Sequence, residues 1–533
     1  MSLGRSSAVI AAGTFASRIT GLLRSMVLIT AIGGAGLSAD AFAIANQVPN
    51  YVFQVISTGV LTAVFVPQIV KWSQLEDGGK RMLSKLFTLG TLILLVVTVV
   101  ATLAAPLLIS AFSDFDTNEQ YSLAVAFAYW CIPQVFFYGV FALVGETLNA
   151  RRIFAPYAWA PIVNNLVSIA GFSTFIWLFG GGRRPIEEFD TTMIVLLGGT
   201  ATLGIVAQSV TLLLFWRKTG LKLRADFVWR GMGLGQIQRI ASWSIGMLLL
   251  GLLVAAVQQQ VISTASTDEA VNASSNIWFN AWLVFMLPYS LIVMSIGTPY
   301  FTRLSEHAHA GRDTEVKRDI SAAIKTLGLL VVFAAVTLAA AAVPAARLFS
   351  NDMAEASATA PVLVGFLVGL VPLAVLFIVQ RSFYAYGDTR TPFFFTLFQA
   401  ILTASGALLA RSFFTAGDLT LGVALIQSFA STAQVLVAIW LLRRKLGPLH
   451  IGGALWAIIR FTFAAIPTGL VGISVYLLFG GPDSWMVQNK LFAAAGCAVI
   501  GSICALVYGG LLAAFRTPEL TAIVTLIRGK LGR

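Results

Sequence analysis

Residues 15–50 read FASRITGLLRSMVLITAIGGAGLSADAFAIANQVPN, and they place two arginines where a membrane-spanning helix is expected. The apolar run around Arg18 and Arg24, from about residue 7 to about residue 32, is long enough to cross a bilayer. A charge at bilayer depth costs at least ~2.5–3.5 kcal/mol, so such residues face a partner or a water-filled space. No acid lies on the same helix, and Ser17, Thr20 and Gly21 are small enough to let a ligand or a second backbone come close. The stretch therefore reads as a cavity-lining helix that offers two fixed positive charges to something anionic. A glycine-rich turn follows, and Asp40 opens a second helix that carries Asn46, Gln47, Pro49 and Asn50.

The rest of the chain has the same character. Its 533 residues are 58% hydrophobic and only 11% charged, with a mean hydropathy of +0.85. That composition belongs to an integral membrane protein, not to one soluble core. The net charge of +12 sits in short loops, where membrane topology explains it before nucleic-acid binding does. Cys131, Cys497 and Cys504 fall in apolar stretches without CxxC or metal spacing, and read as small core residues. Arg5 is followed by a long apolar run with no clear cleavage site, so the first helix is expected to be retained.

Apolar segments long enough to span recur at about 7–32, 39–70, 83–112, 119–147, 156–180, 191–216, 237–264, 272–301, 320–349, 358–385, 392–414, 419–442, 455–479 and 490–515. The expectation is an all-α polytopic membrane protein with 14 transmembrane helices. Cations follow every even span, from Lys71, Lys80, Arg81 and Lys85 after the second to Arg443, Arg444 and Lys445 after the twelfth. The alternate loops, such as SDFDTNEQ and SNDMAEAS, are mostly acidic or neutral, GGGRRPIEEFD is mixed, and Arg411 stands alone on the other side. That alternation puts both termini in the cytoplasm.

The chain also repeats itself. Pro156 and Pro392, each opening a span after a short basic loop, are 236 residues apart. Pro49 and Pro288 are 239 apart, and Gly59 and Gly297 are 238 apart. Spans one to six and seven to twelve thus read as a duplicated six-helix lobe, 1–218 and 219–446, with spans thirteen and fourteen in 447–533 as an unmatched pair. Paired lobes with a site at their interface are a common transporter plan. Proline inside a span removes a hydrogen bond and bends the helix, so Pro49, Gly59, Pro288 and Gly297, with Gly21 in span one, are candidate gating positions. Ordinary helix packing explains each of them equally well when taken singly.

The missing chemistry is as informative. No P-loop, nucleophile motif or metal cluster is present, and His307, His309 and His450 stand apart from any such constellation. An enzyme and a built-in ATP motor are thereby excluded, and neither cofactor nor metal is expected. No acid lies at mid-span: Asp40, Glu146 and Asp388 sit at span ends or in loops. Exporters of cations need a buried carboxylate, so the cargo reads as anionic. Arginine's planar fork suits phosphate. Arg18 and Arg24 lie about 9 Å apart along a helix and far apart around it, so both face one ligand only if the helix bends, with Gly21 the place for it. The bland alternative is that Arg24 snorkels or pairs with Asp40 across the turn. Asn46, Asn50, Asn149 and Asn280 are candidate cavity-lining residues, although interhelical bonding explains such residues more often. Lys325 and Arg460 read as snorkelling to the headgroups.

SRITGLLR, DAFAIANQVPN, LNARRIFAPYAWAPIVNN and SFYAYGDTRTP, taken in order, resemble the MurJ/MviN lipid II flippases of the MATE-like multidrug/oligosaccharidyl-lipid/polysaccharide exporter superfamily. The resemblance covers spans one to twelve and implies two six-helix lobes around a central cavity, with the last two helices forming a lipid-facing groove. It implies a bacterial cytoplasmic-membrane transporter that moves undecaprenyl-pyrophosphate-linked disaccharide pentapeptide outward for peptidoglycan assembly, with membrane lipids and cell-wall synthesis proteins as its surroundings. The family's span-one arginines carry over onto Arg18 and Arg24, and its span-two acid onto Asp40, as substrate-binding residues. Two other family arginines have no counterpart: Tyr51, Val52, Phe53 and Gln54 follow Asn50, and Trp282 stands in span eight. In this respect the sequence is similar to actinobacterial members. Export of another polyprenyl-linked glycan, export of cationic drugs and a non-transporting scaffold are the competing readings, the second opposed by the buried arginines.

Overall fold

The computed structural model describes residues 3–57, 80–151, 153–228, 238–267, 271–449 and 451–519, whose regular structure is helical and which contain no strand. Thirteen stretches among these residues are long and apolar enough to cross a membrane. They correspond to thirteen of the fourteen expected spans. The remaining one, span two, is described only as far as Ser57, so Gly59 lies outside the described residues. The residues group into two compact units, 1–270 with Ser274–Asn276, and Val271–Ala273 with 277–533.

The first unit holds α1 (Leu3–Ile32), α2 (Leu37–Ile56), α3 (Lys80–Leu103), α4 (Ala105–Phe112), α5 (Asn118–Cys131), α6 (Gln134–Ala150), α7 (Ala155–Phe179), α8 (Thr191–Leu214) and α9 (Gln238–Ser263). α1 packs along α7, and α7 along α8. The expected seventh span, α9, groups with this unit because it packs on α2 and α4. Local chemistry sets the ends. Thr117 caps α5 by accepting from the Gln120 N–H, and Asp190 caps α8 by accepting from Met193. Pro133 lacks an N–H and separates α5 from α6 within one span. Gly36, at φ 111°, ends the turn between α1 and α2. That positive φ is what favours glycine there, and the Arg183 side chain packs close over it, 2.8 Å from where a Cβ would lie.

The second unit holds α10 (Ser275–Pro288), apart from its first two residues, then α11 (Ser295–His309), α12 (Asp313–Ala340), α13 (Ala342–Arg347), α14 (Met353–Leu367), α15 (Leu370–Ala385), α16 (Arg390–Phe413), α17 (Ala416–Leu446), α18 (Gly452–Leu478) and α19 (Lys490–Ala514). A π-helical segment, Tyr289–Met294, joins α10 to α11 directly after Pro288. π-segments are rare and concentrate at functional sites. α18 and α19 pack on α12 through Leu329, Val332, Phe461 and Tyr508. At the other end Arg347 donates to the Val487 carbonyl at 2.8 Å. Lys325 and Arg460, expected to snorkel, approach Glu519 at 3.9 and 2.7 Å.

The internal repeat is visible in the helix breaks. α3 stops at Ala104 before α4, and α12 stops at Ala341 before α13, 237 residues later. The caps Thr117 and Asp352 are 235 apart, and the breaks at Pro133 and Gly369 are 236 apart. The third and fourth spans of the chain and its ninth and tenth are therefore interrupted at matching positions.

Candidate anion-binding site

α1 is an unbroken helix through Gly21, so the expected bend is not a helix break. Gly21 faces Asn165 on α7. A Cβ at Gly21 would stand 3.6 Å from the Asn165 amide, an ordinary contact. Asn165 Nδ2 donates to the Ser17 carbonyl at 3.0 Å and to Thr20 Oγ1 at 2.9 Å. The small residues of α1 thus admit α7, and Thr20 is held by a neighbour. Arg18 and Arg24 are both half-buried, and neither forms an ion pair with a carboxylate among the described residues. Among the described residues, α1 thus carries two guanidinium groups without a carboxylate partner.

Arg24 lies within electrostatic reach of Tyr138 on α6. Tyr138 Oη donates to Gln134 Oε1 at 3.2 Å, and Gln134 Nε2 donates to Asn46 Oδ1 and Thr202 Oγ1, each at 3.2 Å. Asn46 is therefore joined to a network running from α2 to α6 and α8. On α2, Ala43, Asn46, Gln47 and Asn50 are half-buried at helical spacing, with Gln54 exposed beyond them. Asn46, Gln47 and Asn50, with Gln54, form a polar stripe along the helix. Asn50 Nδ2 donates to Gln47 Oε1 at 3.4 Å. Where the family arginine would follow Asn50, Tyr51 stacks on Phe112 at 4.5 Å and Phe53 lies 5.4 Å from Tyr138. Tyr138 and Gln134 escaped the sequence reading because they sit in a span that reads as apolar.

Asp40 stands apart from this group. It is fully buried, and its carboxylate accepts from Ser266 Oγ at 2.6 Å, from Ser274 Oγ, and from the Asn276 N–H at 2.7 Å. Asn276 in turn donates to the Gly34 carbonyl at 3.1 Å. Asp40 therefore caps the start of α10 and ties it to the α1–α2 turn, and it does not pair with Arg24. Asn149 is half-buried in the last turn of α6, and Asn280 is half-buried on α10.

In the second unit Pro288 precedes the π-segment, while Gly297 is a close-packing point. A Cβ at Gly297 would lie 2.5 Å from the Phe377 ring. Trp282, in the place of the other family arginine, packs on Phe285 and Phe366. Arg381, read from sequence as a loop charge, lies in α15 over the rings of Phe301 and Phe377, both at 5.1 Å. It has no carboxylate ion pair among the described residues. Among those residues no three His, Cys, Asp or Glu side chains group to hold a metal.

The family model described as lipid II flippase MurJ matches residues 29–495. The chain belongs to the MurJ family. A probable lipid II flippase MurJ from Synechocystis is 25% identical over 505 residues, covering 92% of this chain and 91% of that protein. A lipid II flippase MurJ from Burkholderia cenocepacia is 25% identical over 407 residues, covering 74% and 75%. A solved structure titled lipid II flippase MurJ, inward closed conformation, superposes with a TM-score of 0.72 at 19% identity, covering 94% of this chain and 98% of that one. An inward-facing MATE family multidrug transporter follows at a TM-score of 0.54 and 16% identity, covering 84% and 96%. At these identities the structural likeness speaks for the fold, the one shared by MurJ and MATE transporters.

Proposed function

We propose that this protein flips lipid II, the undecaprenyl-pyrophosphate-linked peptidoglycan precursor, from the cytoplasmic to the outer leaflet of the bacterial cytoplasmic membrane by alternating access. Membership of the MurJ family over residues 29–495 carries the reading. The two α1 guanidinium groups without carboxylate partners supply its chemistry. Arg18 and Arg24 hold the pyrophosphate while the isoprenoid tail stays in lipid, along α18 and α19. The α2 stripe of Asn46, Gln47 and Asn50 offers hydrogen bonds to the sugar and peptide. Asp40 holds the start of α10 and leaves cargo contact to the arginines. The loop cations face the cytoplasm, as do both termini. An inside-negative potential favours outward movement of the net anion by ~2.3 kcal/mol per charge per 100 mV, a drive that needs no nucleotide.

The test is complementation of a strain depleted of its own lipid II flippase, at matched membrane levels. Wild type is expected to rescue, and Arg18→Ala and Arg24→Ala to fail. Rescue by both variants would move the phosphate site away from α1. Failure of well-expressed wild type would remove lipid II as cargo.

A further inference from the structure

The segment after α8 makes a groove that the flipping reaction does not use. Residues 221–228 run without helix along one face of α3. The Arg224 N–H donates to Ser84 Oγ at 3.2 Å, and the Asp226 N–H donates to Thr88 Oγ1 at 3.0 Å. Ser84 and Thr88 are four apart and share that face, so the segment is strapped to the helix at two points. Between strap and helix lies an open-sided groove of about 460 Å³, walled by Phe87, Thr91 and Leu95 on one side and by Leu223, Arg224 and Phe227 on the other. It adjoins a recess of about 220 Å³ toward α6 and α8 that shares Phe87, Thr91 and Leu223.

Its two ends differ in chemistry. Arg224 lines the groove, and the flanking segments carry exposed Lys80, Arg81, Arg217, Lys218 and Lys222, against a single acid, Asp226, in the segment 215–228. Neither Lys222 nor Arg224 has an ion pair among the described residues. Beyond the mouth the walls turn apolar. Leu95, 50% exposed, lies 15 residues past Lys80, about 22 Å along the helix. That distance reaches well into a hydrocarbon core ~30 Å thick. Phe227, 65% exposed, follows Asp226, whose N–H is bonded to Thr88, so it extends the apolar wall beyond Arg224.

We propose that this groove is a binding site for an anionic phospholipid. One acyl chain lies along Thr91 and Leu95, and the phosphate sits against Arg224 and Lys222. A phosphate without a compensating choline matches the cationic mouth, and the length of the apolar wall matches a chain. The placement in the inner leaflet rests on the proposed orientation; the binding itself does not.

The probe is phosphatidylglycerol carrying a diazirine on one acyl chain, added to full-length protein in phosphatidylcholine nanodiscs and mapped by peptide mass spectrometry. Label is expected in 84–95 and 223–227, displaced by unlabelled phosphatidylglycerol and not by phosphatidylcholine. The double variant Lys222→Gln/Arg224→Gln is expected to weaken that displacement by about fivefold per cation removed. Thr91→Phe, which fills the groove and leaves the strap bonds alone, is expected to abolish the label. Melting in detergent without phosphatidylglycerol checks that both variants fold. Label spread evenly over the lipid-facing helices, or unchanged in both folded variants, would overturn the proposal. Lipid II is absent from the assay, so failure of the flipping reading and failure of this one are distinguishable.

Discussion

At the scale of single residues, two charges divide the work. Arg24 has a tyrosine beside it and no acid, whereas Asp40 has three donors on it and no guanidinium bond. Removing Arg24 is expected to weaken binding of the pyrophosphate by ~10–100-fold, the value of a lost charged hydrogen bond, with little change in melting. Asp40→Ala leaves three buried donors unpaired and is expected to destabilise the protein by on the order of 3 kcal/mol, read by thermal melting in detergent. Unchanged melting with lost transport would return Asp40 to the substrate. Outside the spans, Asp388 gives a pH signature. Burial alone would push its carboxyl up, but Lys445 Nζ at 2.8 Å and two bonds from Thr391 outweigh it and hold the carboxyl below its ordinary value of 3.8. A depressed folded value means stability that is present above the unfolded value and lost as pH falls through the folded one. Asp388→Asn is therefore expected to lower the melting temperature at pH 7, and the difference from wild type should begin to shrink only as pH falls below about 4 and be gone once the pH is under the depressed folded value. A difference that persists there would mean that Lys445 is not the partner that matters. The arginines were legible because a charge inside an apolar run has few explanations. Asp40's partners were not, since Ser266, Ser274 and Asn276 lie 226 to 236 residues away.

At the scale of helices, proline and glycine act in different ways in different places. Gly21 has room for a methyl group, and Gly297 has Phe377 within 2.5 Å of where one would go. Gly21→Ala is expected to leave melting unchanged or raise it by up to ~1 kcal/mol in stability, while Gly297→Ala lowers stability by ~1–3 kcal/mol. Equal effects would show that α11 and α15 are not packed as described. Pro288 gives up a backbone donor immediately before the π-segment. Pro288→Ala is expected to favour regular helix there and to slow transport without loss of melting temperature. Retention of full transport would remove the π-segment from the gating cycle. Pattern and charge made the spans and their order legible. The breaks at Ala104 and Ala341 were missed although Pro106 and Pro344 follow them, each withholding the N–H that a continuing helix would need, because both lie inside runs apolar enough to read as one span.

For the whole molecule, the alternation of basic and acidic loops and the repeated prolines carried the membrane architecture from sequence to structure, and the helix breaks added a repeat that the sequence comparison saw only at Pro and Gly. The site was half legible. Among the candidate residues, Arg18 and Arg24 stand out on α1, while Gln134 joins them only when α2, α6 and α8, far apart in sequence, are folded together. The measurement that bears most directly on the function is lipid II translocation by purified protein in sealed vesicles, read by accessibility of the headgroup to an external modifying enzyme. Wild type is expected to expose lipid II from the far leaflet, faster under a potential that is negative on the side from which it starts, and Arg24→Ala is expected to leave it protected. Equal exposure with wild type, with Arg24→Ala and with empty vesicles would contradict a flippase with its phosphate site on α1.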